Sequence, residues 1–214
     1  MKLAELASAM PLLLELRPDF TPEKWESILL KSAIHIAQQG KFFEETYEVD
    51  LQACVPDYEL NVCDVRITEI KQLCWYDDCT PVCCTDNAGK QKFKIVANSW
   101  CSIPGCDGGR FRFVPPGRIE VGPVSGLSGR LKITALVAPM YNACSIDDKF
   151  LYEYNNALFE QAAYEALTLP GEGYNGNEAV RRQRAAVTEL GRMATTAARG
   201  YHAGAMTMTS RRMV

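Results

Sequence analysis

Nine cysteines, two histidines, two adjacent aspartate pairs and one glycine-rich hexapeptide are the residues of this 214-residue chain whose types could carry chemistry. Eight cysteines fall between Cys54 and Cys106. The group Cys74, Cys79, Cys83, Cys84, Cys101 and Cys106 has the ligand type of a structural zinc site. Such sites use cysteine pairs roughly two to four residues apart on tight turns. Cys79 with Cys83 or Cys84 falls in that window, but no Cys-x-x-Cys occurs, and neither His35 nor His202 is near in sequence. The spacings therefore favour small buried hydrophobes over a metal centre, and no metal or cofactor is expected. An odd cysteine count without an export signal favours reduced thiols over a disulfide framework.

Nucleophilic catalysis needs a base positioned beside the nucleophile. His35 sits in a helical pattern and His202 in a polar tail, so neither is placed to activate a cysteine, and the chain reads as a non-enzyme. Asp77-Asp78 and Asp147-Asp148 read as turn and cap residues. Gly171-Glu-Gly173-Tyr-Asn-Gly176 matches the dinucleotide fingerprint letter by letter. That fingerprint must follow a strand inside a βαβ unit, whereas here it follows a helical pattern and joins it to another.

The elements that position these residues follow from periodicity. Residues 1–16 read as a short helix with Leu3, Leu12, Leu13 and Leu14. Lys2 and the Ala/Leu run resemble a signal peptide, but Glu5, Glu15 and Pro11 interrupt the apolar part, so no export signal is read. Thr21 is an N-cap, Pro22 suits the first helical position, and Trp25, Ile28, Leu29, Ala33 and Ile36 form the apolar stripe of a helix over 21–40 that Gly40 stops. Residues 41–140 form a β region containing the Cys-rich insertion. Loose alternation over 42–51, strands at 58–62, 65–70, 92–97, 110–114, 119–121 and 131–137, a turn at 86–89 and a Gly/Pro loop at 102–109 imply an antiparallel sheet. After Cys144, Ser145 or Asp147 can cap a helix whose face is Leu151, Tyr154, Leu158, Ala162 and Leu169. A second helix begins at Asn177, with Val180, Val187, Leu190, Ala194 and Ala197 on one stripe. The two make an antiparallel helical hairpin over 145–200. The fold class is therefore α+β: N-terminal helix, central antiparallel β-sheet region, C-terminal antiparallel helical hairpin. Residues 1–200 read as one domain, and 201–214 as a flexible C-terminal arm.

Charge is divided unevenly. The formal net charge is -3, yet residues 175–214 hold seven Arg against two Glu, leaving 16 Lys+Arg against 24 Asp+Glu elsewhere. That balance excludes binding nucleic acid by bulk charge and suggests a basic end seeking an acidic partner. Arg181, Arg184, Arg192 and Arg199 would form a basic face on the hairpin. No apolar run reaches the ~18–20 residues that span a bilayer, so no membrane association is expected.

The order of segments resembles the head–tail connector (adaptor) proteins of tailed bacteriophages. Thr21-Pro-Glu-Lys-Trp25 through Gln39, then Glu45-Thr-Tyr47, is similar to that family's opening helix and aromatic-bearing strand. Pro56-Asp-Tyr-Glu-Leu60 followed by Val65-Arg-Ile-Thr-Glu-Ile70 is similar to its Y-x-L strand and the hairpin strand after it. Leu131-Lys-Ile-Thr-Ala-Leu-Val-Ala-Pro139, then Asp147 to Tyr154 and Ala157 to Gly171, resembles the strand that leads into a helix ending at M-P-G and its return helix. The Cys-rich stretch 74–106 has no counterpart in that pattern. The resemblance implies a structural virion protein in the neck between capsid and tail, present in the host cytoplasm during assembly. It implies a ring of self-copies, commonly a dodecamer, below the portal protein and above the tail nozzle or next neck protein. Genomic DNA would pass through without sequence-specific binding. The arm, through Tyr201, Met206, Met208, Arg211, Arg212 and Met213, would dock on the portal. The alternatives are another phage neck or tail-completion protein and a cytosolic Cys-based metal-binding module.

Overall fold

The computed structural model describes residues 1–41, 43–52, 54–60, 64–77, 80–83, 100–102, 110–122 and 129–198. The strand expected at 92–97, the turn at 86–89, all of the loop expected at 102–109 except Ser102, which ends a strand, and the arm 201–214 lie outside the described residues.

The N-terminal segment forms two helices, α1 (Leu3–Ser8) and α2 (Pro11–Glu15), where one was expected. Pro11 is the cause. It has no N–H to continue a helix, and it bars the residue before it from helical backbone; Met10 sits at φ -121, ψ 63. Helix α3 (Pro22–Gly40) starts as expected: the Thr21 hydroxyl accepts from the Lys24 N–H at 3.4 Å, with Pro22 at the first position. It ends at Gly40 as expected, and the left-handed residue that follows is Lys41, at φ 51. All five residues of its expected stripe are buried, and so are Leu30, Ile34 and Ala37. The helix is enclosed on most sides because α1, α5, α6 and a sheet all pack on it.

Among the described residues eight strands follow: β1 (Glu44–Leu51), β2 (Asp57–Glu59), β3 (Val65–Asp77), β4 (Thr80–Cys83), β5 (Trp100–Ser102), β6 (Arg110–Val114), β7 (Arg118–Gly122) and β8 (Gly129–Pro139). They form two antiparallel sheets of four strands each, ordered β1-β8-β3-β4 and β2-β7-β6-β5. The alternation at 65–70 marks only the start of β3, which runs on to Asp77 along β8 through two irregular steps, at Ile67/Glu69 and Ile70/Gln72. A bulge slips the side-chain alternation, which hides the rest of that strand from a period-two reading. In β8, Leu131, Ile133, Ala135 and Val137 are buried on the helix side. The β6–β7 hairpin turns at Pro115-Pro116-Gly117 with a cis bond between the prolines, and buries Phe111, Phe113, Ile119 and Val121 on one face.

The C-terminal helices are α4 (Lys149–Tyr152), α5 (Asn155–Thr168) and α6 (Gly176–Ala198). The single helix expected after Cys144 is broken at Tyr154, which leaves the helical region at φ -119, ψ 15. Its ring meets Phe43 edge-on at 5.1 Å, and Phe43 stacks on Phe150 at 4.6 Å. That aromatic cluster ties the α3–β1 joint to the start of the hairpin. Asp147 accepts from the Lys149 N–H at 2.9 Å, while Ser145 instead donates to Asp64 at 2.7 Å. The hairpin itself forms as expected, with α5 packed along α6. Its second helix starts slightly early, because the Asn175 side chain accepts from the Glu178 N–H at 3.1 Å. The architecture is α+β: helices, then antiparallel sheets, then helices.

Candidate functional site

Among the described residues His35 is the sole histidine, and it is half-buried within α3. No group of three or more His, Cys, Asp or Glu side chains among the described residues could hold a metal ion. Cys54 and Cys144 are exposed free thiols and Cys101 is half-buried. The β3–β4 register sets Cys74 opposite Cys83; Cys79, Cys84 and Cys106 lie outside the described residues.

The glycine-rich loop 171–176 connects α5 to α6, and its composition has a packing cause. Arg17 is fully buried beneath it. The guanidinium donates to both carboxylate oxygens of Asp19 at 2.8 Å. It also donates to the carbonyls of Ala166 (2.8 Å), Leu169 (2.9 Å) and Pro170 (3.3 Å) at the end of α5. The carbonyls at a helix C-terminus lack intrahelical donors and carry partial negative charge, so a buried cation there is well placed. The hydrogen bond from Arg17 holds the Asp19 carboxyl below its ordinary value. A Cβ on Gly173 would fall 2.3 Å from Arg17 Cδ, and Gly171 has φ 139. These glycines make room for an arginine, not for a pyrophosphate.

The basic residues of α6 divide into two sets. Arg182, a fifth helix arginine beside the expected basic face, turns inward. It donates to both Glu160 oxygens at 3.0 and 3.2 Å and to Glu178 at 2.8 Å, with its guanidinium 5.5 Å from the Phe159 ring centroid. It clasps the hairpin. Arg181, Arg184 and Arg192 lie on the exposed side. Arg181 donates to Glu178 at 2.5 Å and Arg192 to Glu189 at 2.9 Å, both along the helix. Arg184 has no ion-pair partner among the described residues. The two arginines hold the Glu178 carboxyl below its ordinary range. Arg199 and the arm residues Tyr201, Met206, Met208, Arg211, Arg212 and Met213 lie outside the described residues.

Most of the stripe expected to be the buried face of α6 is turned outward. Val180 is 47% exposed and Val187 63%, and Ala194 is exposed too. The buried residues are instead Ala179, Ala186 and Met193; from the expected stripe Leu190 is half-buried against the core, and the burial of Ala197 lies outside the described residues. The helix thus carries two apolar stripes, and α5 covers only one.

Two further surfaces carried no sequence signal. A groove of about 330 Å³ opens between α1, the α2–α3 connection and α3, lined by Ala4, Ala7, Leu14, Phe20, Trp25 and Glu26 among others. On the β2-β7-β6-β5 sheet, Trp100, Arg112, Glu120 and Asp57 stand in one cross-strand row. Arg112 bonds Glu120 and lies 5.1 Å from the Trp100 ring centroid, and Arg118 bridges Asp57 and Glu120 at 3.0 and 3.2 Å. The row is internally neutralised and leaves Trp100 47% exposed. Among the described residues no helix is long and apolar enough to cross a membrane. No protein-family model and no curated protein matches the chain.

Proposed function

We propose that this chain is a structural virion protein: a head–tail connector that forms a ring below the portal of a tailed bacteriophage. The observation that supports the reading is the order of elements. The segments that resemble the connector family are the α3 helix, the β1, β2 and β3 strands, the long β8 strand, α4 and the α5–α6 hairpin, and they follow one another along the chain. Their packing into helix, antiparallel sheets and hairpin is compatible with a subunit that offers separate faces to the portal, to its neighbours and to the next neck or tail component. The role is assembly and passage of DNA, without catalysis. An acidic body beside a DNA path does not retain phosphates, which suits a conduit.

In this reading the arm 201–214 reaches the portal. Its Met side chains supply adaptable apolar contact, and Arg211 and Arg212 pair with acidic portal groups. The test is mass photometry of the chain mixed with the portal ring encoded beside it. The expected result is a gain of about twelve subunits over the portal alone, as a closed ring requires. No gain would refute the portal-proximal position and favour a more distal neck or tail-completion protein. Deletion of 201–214 is expected to abolish the gain; unchanged binding would remove the arm from the interface.

A further inference from the structure

The outer stripe of α6 has the form of an unmade helix contact. Val180, Val187 and Ala194 recur every seven residues, the spacing that keeps a seam on one side of a helix. Gly191 lies within the same seam, where an added Cβ would meet nothing within 4 Å, so another backbone could approach closely. The seam extends ~21 Å along the helix. Arg181 and Arg192 are already paired along α6, which leaves Arg184 as the cation beside the seam with no ion-pair partner among the described residues.

The groove between α1 and α3 has complementary chemistry. Its walls are largely apolar, with Phe20 and Trp25 among them; Ser8, Glu26 and Arg17 also line it, the arginine fully buried and already paired with Asp19. Glu26 has no cation partner among the described residues, and Glu23, one helical turn before it, has none either. Seam and groove share no residue. A two-fold contact would lay α6 on α6 and set Arg184 against a helix holding four Arg and two Glu. A head-to-tail contact sets it against a carboxylate. We propose that the outer seam of α6 docks into the α1–α3 groove of a second copy of this chain, with Arg184 of one copy facing Glu26 of the next. Such a contact is heterologous, and when its rotation closes it makes a ring. The inference rests on the ring reading above and names the surfaces that would form it.

The test is sedimentation velocity on the full chain across concentration, with four variants. Val187→Glu and Ser8→Arg place a charge on the seam and at the groove; both parent side chains are exposed, so the fold is retained, as circular dichroism will check. Each is expected to weaken self-association at least tenfold, since burial of one aliphatic side chain is worth about that factor. Arg184→Glu and Glu26→Arg are each expected to weaken it, and the double reversal to recover most of the loss. A wild-type chain that stays monomeric at roughly 100 µM, above the range of specific interfaces of standard size, overturns the contact. If that same chain still adds to the portal ring, the connector reading stands and only this contact falls. Self-association that survives Val187→Glu or Ser8→Arg overturns the seam or the groove respectively. A double reversal no better than its singles overturns the Arg184–Glu26 pairing.

Discussion

Arg17→Met tests whether the hairpin is held to the N-terminal segment by one buried cation. Methionine keeps the aliphatic volume and deletes every donor. The Ala166 carbonyl loses a buried bond at 2.8 Å from a charged donor, although it still accepts from the Leu169 N–H at 3.3 Å. The Leu169 and Pro170 carbonyls lose part-buried bonds at 2.9 and 3.3 Å and can recover some hydration. A bond to a charged donor is worth about 1.5–3 kcal/mol when buried and less when wet, which puts the whole change at about 3–4 kcal/mol. Asp19, with its side chain 30% exposed, returns to water and adds little. Against a typical stability of about 5–15 kcal/mol this is a large fraction. With a urea slope of about 2.5 kcal/mol/M, the unfolding midpoint should fall by about 1.3 M without a change in slope. A midpoint within about 0.3 M of the parent would mean that water replaces the guanidinium at the end of α5, and the anchoring argument would be refuted.

Gly173→Ala should cost about 1–3 kcal/mol, because its Cβ would fall 2.3 Å from Arg17 Cδ and a packed site tolerates no extra methyl. In an Arg17→Ala background, which removes the Cδ that the new methyl would strike, the cost should shrink; full additivity in chemical denaturation would contradict that. Ser32→Ala should stabilise by about 1 kcal/mol: the Ser32 hydroxyl is buried in α3 without a hydrogen-bond partner, and alanine removes the unmet group and is the better helix former. A lower thermal midpoint would refute it. Asp19, Glu23 and Glu178 are all held below their ordinary values, Asp19 and Glu178 chiefly by hydrogen bonds from arginine and Glu23 by backbone bonds. Their contribution is complete above the unfolded values of 3.8 and 4.5 and is lost as pH falls through the lower folded ones. Thermal unfolding followed from neutral pH to below 3.8 should therefore show falling stability, with a shallower fall in Glu178→Gln. An identical slope would show that Glu178 is not linked to folding.

The parts of the fold that could be read in the sequence are those where one local rule acts alone. Thr21-Pro22 starts α3 because cap and proline agree, and the β6–β7 hairpin follows from the alternation at 110–114 and 119–121 around a Pro-Pro-Gly turn. Where two constraints met, the reading failed. Pro11 splits the first helix although apolar residues flank it on both sides, and Tyr154 splits the helix expected after Cys144, its ring packed on Phe43, distant in sequence. Bulges hide the second half of β3. On α6 the failure has a different cause. Periodicity identifies a stripe but not which neighbour covers it, and a helix with two stripes gives two answers. Val180 and Val187 are larger than Ala179 and Ala186, so hydrophobicity favours the stripe that ends up outside. What reverses the choice is the contact with α5, a helix rich in buried alanine: Ala157, Ala162, Ala163 and Ala166 are all buried between its neighbours. Small residues on both helices let them pack closely, and Arg182 then reaches Glu160 across the joint. A valine face turned toward α5 would hold the helices apart and break that clasp. The larger stripe is thus displaced to the surface by the fit of the smaller one, and its heptad spacing is the pattern expected of a helix whose second face also has a partner.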